Sequence, residues 1–474
     1  MRLSFSTLSK KFQGEDRRSL VLLLALLGLG FLIAGSGRDD ILSLLIWRPV
    51  SAMALAFALY LGWQNAWGSA RHIMLFVLAI VLLVALHLIP LPPAIWTMLP
   101  GREIVENVYA EAKLPLPWLP ASVAQTRTWN ALFSLAAPIA ALLLALSLKP
   151  DAQLTTARVL LVIGLLSGLI GLLQAIGPSN GPLYFYRITN NGEAVGLFAN
   201  RNHQAAFLAC LFPLLAANLT LQRGSPESLS FRRILTVAAA LFLIPLLLVT
   251  GSRSGLILGV IGVVSAFWIY QSPVVVGRSG ALKQADRSHR VIGIGGAVLF
   301  TLALTLVASR AKSIQRLVEN DPAADLRFEA LPVIWNASWD YFPFGSGIGS
   351  FVEVYKIVEP YRLLSPAYLN HAHNEPLELL ITGGLPAIAL MLVGLFMGLA
   401  AAWALVRQSN GTADRRSTEL VLGRAGIALC FLLALSSVAD YPLRVPSLAM
   451  FFAVGVSWIS IALRSNPRAK RVES

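Results

Sequence analysis

Ile73-Met-Leu-Phe-Val-Leu-Ala-Ile-Val-Leu-Leu-Val-Ala-Leu-His-Leu-Ile89 carries no charged side chain from end to end. Lipid cannot satisfy an exposed backbone N–H or C=O, so an apolar run of roughly this length reads as a helix that crosses a bilayer. Ser19 to Ala34 reads the same way. It lacks a small-residue cleavage site and is followed at once by another span, so it is expected to remain as a span and not to be removed as a signal peptide. The composition agrees: 56% of the 474 residues are hydrophobic and 13% are charged, against about 25% charged in soluble domains. Working outward gives about twelve candidate spans, near 19–36, 41–62, 72–90, 129–148, 157–176, 203–221, 233–250, 254–271, 291–309, 385–406, 421–438 and 446–463. The expected fold is all-α, a polytopic transmembrane helical bundle.

The formal net charge is +14. A basic balance of that size can signal nucleic acid, but its distribution argues against it. With the N-terminus inside, most Lys and Arg fall in short inner loops, among them Arg17, Arg18, Arg71, Lys149, Arg158, Arg223, Arg232, Arg233, Arg407, Arg416 and Arg464. The positive-inside rule then puts both termini in the cytoplasm, with the basic excess serving topology and contact with anionic membrane lipids. Cys210 and Cys430 both fall inside spans, without metal-ligand or redox spacing, and read as packing residues.

Two outer loops are too long for turns. The first, about 90–128, is rich in Pro and Trp and reads as an irregular segment on the bilayer surface. The second, about 310–384 between spans nine and ten, is amphipathic and aromatic and reads as a small helical cap. The inner loops leave no room for a cytoplasmic domain, and there is no P-loop or nucleotide-binding fingerprint. No cofactor is expected, so a reaction must draw on an activated substrate or an ion gradient.

Four polar groups map to the outer side. Asn200-Arg-Asn-His203 opens the sixth span; an N-cap with interfacial anchors competes with a binding role for Arg201. Thr250-Gly-Ser-Arg-Ser-Gly255 is a tight turn that holds Arg253 at membrane level beside a positive helix end, a setting for an anion such as phosphate. Snorkelling to headgroups is the bland alternative. In the large loop, Arg327 is a second anion-binding candidate, and Phe342-Pro-Phe-Gly-Ser-Gly-Ile-Gly349 reads as a turn allowing close backbone approach. The fourth, Asn370-His-Ala-His-Asn-Glu-Pro376, puts His371 and His373 just before a helix whose first turn holds Pro376. Histidine titrates near neutrality and suits a general base. A metal reading of His-x-His lacks a third convincing ligand, so capping and catalysis remain the alternatives. Arginines and a histidine around one outer cavity suit a lipid-diphosphate sugar, whose leaving group gains negative charge.

The run Gly196-x-Phe-x-Asn-x-Asn202, then Thr250-Gly-Ser-Arg253, Arg327, Pro343-Phe-Gly-Ser-Gly347 and His371-Ala-His-Asn374 resembles the O-antigen ligase and polymerase superfamily of bacterial membrane glycosyltransferases, most specifically between Val195 and Leu390. The resemblance implies a bacterial inner-membrane protein with a periplasmic active site. It implies metal-independent, inverting transfer of glycan from an undecaprenyl-diphosphate donor to an acceptor hydroxyl on glycan or lipid A-core. Other polysaccharide assembly proteins are possible partners. By the same resemblance Arg253, Arg327 and Arg201 contact the diphosphate. His373 is the catalytic histidine, with His371 able to share or replace its role, and Asn200, Asn202, Asn374 and Glu375 support the site. The chain then divides into N-terminal helices 1–194, a ligase-like core 195–406 and C-terminal helices 407–474. The competing class is a transporter or flippase of lipid-linked sugars. It should place polar or broken helices near the midplane, whereas the polar groups here gather on the outer face. A membrane scaffold would leave the histidine and arginine groups unexplained. Arg48-Pro49 and Asp440 have no account from the sequence.

Overall fold

The computed structural model of the chain describes residues 15–272, 274–275, 322–364, 368–411 and 416–465. Its helices are α1 Glu15–Ile33, α2 Leu44–Leu86, α3 Pro93–Trp96, α4 Glu103–Glu111, α5 Gln125–Ser134, α6 Ala136–Leu146, α7 Pro150–Ile176, α8 Arg201–Thr220, α9 Pro226–Val249, α10 Arg253–Ile269, α11 Pro322–Asp340, α12 Phe351–Val358, α13 Glu375–Gly411, α14 Thr418–Ser436 and α15 Pro446–Arg464. The protein is an all-α polytopic helical bundle. Among the described residues, nine helices are long and apolar enough to cross a membrane. The helices α1 and α10 stand where spans were expected but have shorter apolar stretches, and the expected span at 291–309 lies outside the described residues. The two spans expected at 41–62 and 72–90 form one helical run, broken where Ala70 leaves helical geometry (φ −139°, ψ 38°).

The centre of the bundle is α8, which is buried along nearly its whole length. Small residues allow its neighbour to come close: a Cβ on Gly262 of α10 would lie 2.5 Å from the Ala209 carbonyl oxygen, and Gly255 faces Ala205. Such contacts give close packing where lipid removes most of the hydrophobic drive between helices. Stacked and edge-on rings of Phe31, Phe198, Phe207 and Phe451 tie α1, α8 and α15 together, with Phe31 and Phe207 4.8 Å apart. Proline in the first turn starts α7, α9 and α15, where its missing N–H costs nothing.

The end of the bundle that carries residues 34–40, 90–125, 177–200, 250–253 and 437–445 is opposite the end that carries Lys149, Arg158, Arg223, Arg232, Arg407 and Arg464. At that opposite end the Lys149 N–H donates to Asp16 (3.2 Å), Arg158 donates to Asn218 (3.1 Å), and Arg223–Gly224 pairs in parallel with Val274–Val275.

The segment 90–128 is more ordered than its proline content suggested. It contains α3 and α4, is closed by an antiparallel pair of Pro90–Leu91 with Leu119–Pro120, and buries Trp96, whose Nε1 donates to the Pro117 carbonyl (2.9 Å). The described part of the large loop is a helical cap, as expected. In it α11, α12 and a 3-10 turn at Tyr361–Leu363 enclose Ala330, Ile334, Tyr341, Phe351 and Tyr355 against Ile381 of α13. The glycine run is threaded between α13 and the first loop. Gly345 (φ +80°) would put a Cβ 2.6 Å from the Thr382 carbonyl, and Gly347 (φ +108°) would drive one into Ser122. The close-approach reading of that run is therefore correct. Gly384 (φ +59°) breaks α13 at the same place, and the Leu385 N–H donates to the Pro343 carbonyl (2.8 Å). Buried Arg102 donates to the Pro100 (2.8 Å) and Gly345 (3.2 Å) carbonyls, locking the first loop to the cap.

Candidate active site

Asp440 lies between α14 and α15 and is only 1% exposed. Its Oδ2 accepts from the side-chain amides of Asn202 (2.8 Å) and Asn200 (3.1 Å). Its Oδ1 faces His373 Nδ1 at 2.9 Å and accepts from the Tyr441 N–H at 3.0 Å. His203 Nε2 stands 3.7 Å from the same oxygen, and neither ring nitrogen of His203 has a hydrogen-bond partner among the described residues. Residues 240 and 67 positions away in the chain thus converge on one carboxylate.

Each of these side chains is placed by a helix end. Asn200 caps α8, its side-chain oxygen accepting from the Asn202 N–H (2.8 Å) while its amide reaches Asp440. Asn374 does the same for α13, accepting from the Leu377 N–H (2.9 Å) and donating to the Val438 carbonyl (3.1 Å). The Glu375 N–H donates to the Ser437 carbonyl (2.9 Å). These bonds hold His373 at φ +50°, a left-handed conformation that is costly for a residue with a side chain and is found where surrounding structure imposes it.

The two histidines differ. No hydrogen bond among the described residues engages His373 Nε2, while its Nδ1 meets Asp440. His371 has Nδ1 on Glu378 (3.0 Å) and Nε2 on the Gly37 carbonyl (3.4 Å), so both of its nitrogens face acceptors. Tyr441 fills the space among three imidazoles, its ring centroid 4.2 Å from His371, 4.8 Å from His373 and 4.9 Å from His203. The Tyr441 hydroxyl accepts from Asn370 (3.2 Å). Next to His371 is a half-buried charge group around buried Glu378. Arg444 meets Glu375 at 3.0 Å and Glu378 at 3.3 Å, and Glu378 also accepts from the Ala372 N–H (2.8 Å).

The electrostatics favour a neutral imidazole on a carboxylate. Burial pushes His373 below its ordinary value, and the charge of Arg327 adds to this against the opposing pull of Asp440. Burial alone would raise Asp440, but the imidazoles of His373 and His203 prevail and hold it well below the usual carboxylate range. Burial and the Asp440 charge push Tyr441 up to about 12. The Asp440 carboxylate keeps the His373 proton on Nδ1 and leaves a lone pair on Nε2, the arrangement of a general base oriented by an acid.

The expected site residues therefore fall into two neighbouring sets. His373, Asn200, Asn202 and Asn374 gather around Asp440, with Arg327 within electrostatic reach of His373 and Tyr441. Arg201 and Arg253 begin the adjacent helices α8 and α10. Arg201 pairs with buried Glu193 (3.4 Å), and in the turn before Arg253 a Cβ on Gly251 (φ +62°) would lie 3.6 Å from Glu193 and 3.7 Å from Arg201. Ser252 caps α10, accepting from the Gly255 N–H (3.0 Å). The residues that sequence reasoning missed are Asp440, His203, Tyr441, Glu378 and Arg444. The available signal was an isolated acid at the end of an apolar span, which is costly there unless paired. Among the described residues, no group of three or more His, Cys, Asp or Glu is placed to hold a metal ion.

Residues 238–392 match the family model for O-antigen ligase. The match takes in Arg253, Arg327, His371, His373, Asn374 and Glu375, so the resemblance to the O-antigen ligase and polymerase superfamily holds across those residues. The chain is an integral membrane protein, and the match over residues 238–392 supports O-antigen ligase-type glycan transfer, with a lipid-linked glycan and an acceptor as substrates, in general. Asn200 to His203 and Asp440 to Arg444 lie outside the matched residues, yet they fold directly against the ligase domain's histidines. No curated protein matches the chain.

Proposed function

We propose that the chain transfers glycan from an undecaprenyl-diphosphate donor to an acceptor hydroxyl at the periplasmic face of a bacterial inner membrane, with both termini in the cytoplasm. The observation that carries this reading is the His373–Asp440 pair at 2.9 Å, with His373 Nε2 left to receive a proton beside the charge of Arg327. In the reaction the acceptor oxygen forms a bond to the anomeric carbon as the bond from that carbon to the diphosphate oxygen breaks. The electron pair leaves with the diphosphate, and the hydroxyl proton passes to His373 Nε2. Attack from the face opposite the leaving group inverts the anomeric centre. Negative charge grows on the diphosphate, and Arg327 and Arg253 are the cations that stabilise it. Arg201, already paired with Glu193, holds the turn that presents Arg253. His371, with both nitrogens on acceptors, braces the loop, and His373 is the base. No metal ion takes part in this scheme. The basic residues at the end opposite the site support this orientation.

Single alanine variants of Arg253, Arg327 and His373 in the native host test the reading, with lipopolysaccharide and exopolysaccharide examined on gels. Loss of long glycan at normal protein level is expected. Wild-type glycan in all three would overturn it. Accumulated lipid A-core with lipid-linked polymer would mark a ligase, and accumulated single repeat units a polymerase.

A further inference from the structure

The cap helix α11 has three faces. At about 100° per residue, Phe328, Trp335 and Trp339 fall on a single stripe. Ala330, Ile334 and Ala337, which are buried against α13, lie on the opposite side. Glu329, Asn336 and Asp340 line one flank and are exposed. The stripe is open: Phe328 is 71% exposed, and Trp335 and Trp339 are each 50% exposed. Trp335 and Trp339 meet edge-on at 5.4 Å, and Trp339 continues onto Phe342 at 5.2 Å.

Two contacts fix the level of this stripe in the membrane. The turn that follows Phe342 sits where two spans begin: a Cβ on Gly349 would lie 2.8 Å from the Arg127 carbonyl oxygen and 3.3 Å from Ala131 in the first turns of the span Gln125–Leu146, and the Pro343 carbonyl accepts from the Leu385 N–H where α13 resumes after its break. Beyond Leu385, α13 presents Leu385, Leu392, Leu395, Phe396 and Leu399 outward, all more than half exposed, and this span is the least buried of the candidate spans. Such a face in a membrane-spanning helix is covered by acyl chains. Phe344, two residues after Phe342, is itself half exposed, and its backbone lies against the break in α13, where a Cβ on Gly384 would be 2.7 Å from its carbonyl carbon. The aromatic stripe is therefore the upward continuation of a lipid-facing surface. Exposed aromatic residues, tryptophan above all, are what a protein presents at the headgroup level, and the polar flank of Glu329, Asn336 and Asp340 turns away from the acyl chains.

We propose that α11 is seated in the outer leaflet interface, with Phe328, Trp335 and Trp339 immersed at the boundary of headgroups and acyl chains. The occupant of the stripe is the bilayer itself. This does not depend on the reaction the protein performs. It gives the cap a second anchor, so that Arg327, on the same helix, is held at the depth of the headgroup phosphates.

The test uses full-length protein in phosphatidylglycerol–phosphatidylcholine nanodiscs, with Cys210 and Cys430 replaced by alanine. Spin labels are placed singly at Phe328→Cys, Trp335→Cys, Trp339→Cys, Asn336→Cys and Leu392→Cys. Collision with oxygen, which concentrates in lipid, is compared with collision with a water-soluble nickel chelate. Labels at 328, 335 and 339 are expected to favour oxygen several-fold more than the label at 336, in the direction of the label at 392. Ratios at 335 and 339 equal to that at 336 would overturn the proposal and show that the stripe faces water. If the cysteine variants do not fold, the parent and a Trp335→Phe/Trp339→Phe protein are compared in nanodiscs with brominated acyl chains. A quenched emission component that the double variant lacks supports the seating, and an unquenched difference spectrum refutes it.

Discussion

Asp440→Asn is the most informative single change. It keeps the shape of the side chain and removes the charge. The carboxylate accepts four hydrogen bonds, from Asn200, Asn202, His373 and the Tyr441 N–H. An amide offers one oxygen and one NH2, so in either orientation two donors face a donor. Hydrogen bonds to a charged group contribute about 1.5–3 kcal/mol each, so losing two costs about 3–6 kcal/mol of stability at a site with almost no access to water. The rate effect is separable. General base catalysis contributes about 10²–10⁴-fold, and an amide no longer dictates which His373 nitrogen carries the proton, so kcat is expected to fall by about 10²-fold or more. The pH profile gives the sign. Burial and Arg327 hold His373 below its ordinary value while Asp440 pulls it up. The basic form of His373 is therefore present above its lowered value, and the rate declines on the acid side below pH 6.5. Removing the Asp440 charge lowers His373 further, so the acid limb of Asp440→Asn moves to lower pH even as the maximum falls. The assay is turnover of a lipid-diphosphate glycan by purified protein across pH 4.5–8.5, with folding checked by thermal melt. A variant that turns over within about twofold of the parent, with an unmoved acid limb, would refute the assignment of Asp440.

Burial is the main cause of the low His373 value and Arg327 adds to it, so in Arg327→Gln the acid limb is expected to move modestly up in pH while kcat drops, as read from the same profile. Folding stability carries the matching signature. His373 and Asp440 both have lowered folded values, so each binds fewer protons folded than unfolded and stability is lost as pH falls. The His373 part goes below about 6.5 and the Asp440 part as pH falls below the ordinary carboxylate range; melts of the parent should show both, and His373→Ala should lose the upper and weaken the lower, because His373 is the main group holding Asp440 low. Arg444→Ala leaves Glu375 and buried Glu378 without their cation and is expected to cost about 3–5 kcal/mol, seen as a lower melting temperature. Gly347→Ala forces a Cβ into Ser122 at φ +108° and is expected to destabilise by about 1–3 kcal/mol, with the cap loosened first in hydrogen exchange.

The bundle was legible because span helices must be apolar along their length, which hydropathy reads without knowing any partner. The N-cap at Asn200 was legible for a similar reason, since it acts within a few residues. The site was half legible. His373, Asn200 and Asn202 could be named from their polar types at helix starts. Asp440 could not be given a role, because its partners stand 67 and 240 positions away and nothing local announces them. Arg48 was unexplained for the same reason; it hydrogen-bonds Asn130 in the middle of α5, 82 positions away. Arg201 shows the converse limit. Its type suggested an anion, and the side chain found first is Glu193, a buried acid with no motif around it. His371 and His373 look equivalent in sequence, and only the fold gives one of them two acceptors and the other a single carboxylate.

The central claim is glycan transfer by His373 on a lipid diphosphate. The most direct measurement incubates the purified chain in nanodiscs with radiolabelled undecaprenyl-diphosphate glycan, an acceptor and a chelator, and follows released undecaprenyl diphosphate with the glycosylated acceptor. Equal release of both by the parent, and neither above background by His373→Ala of unchanged melting temperature, is the expected result. Transfer at the parent rate by His373→Ala, or movement of intact donor across the bilayer with no new glycosidic bond, would contradict the account.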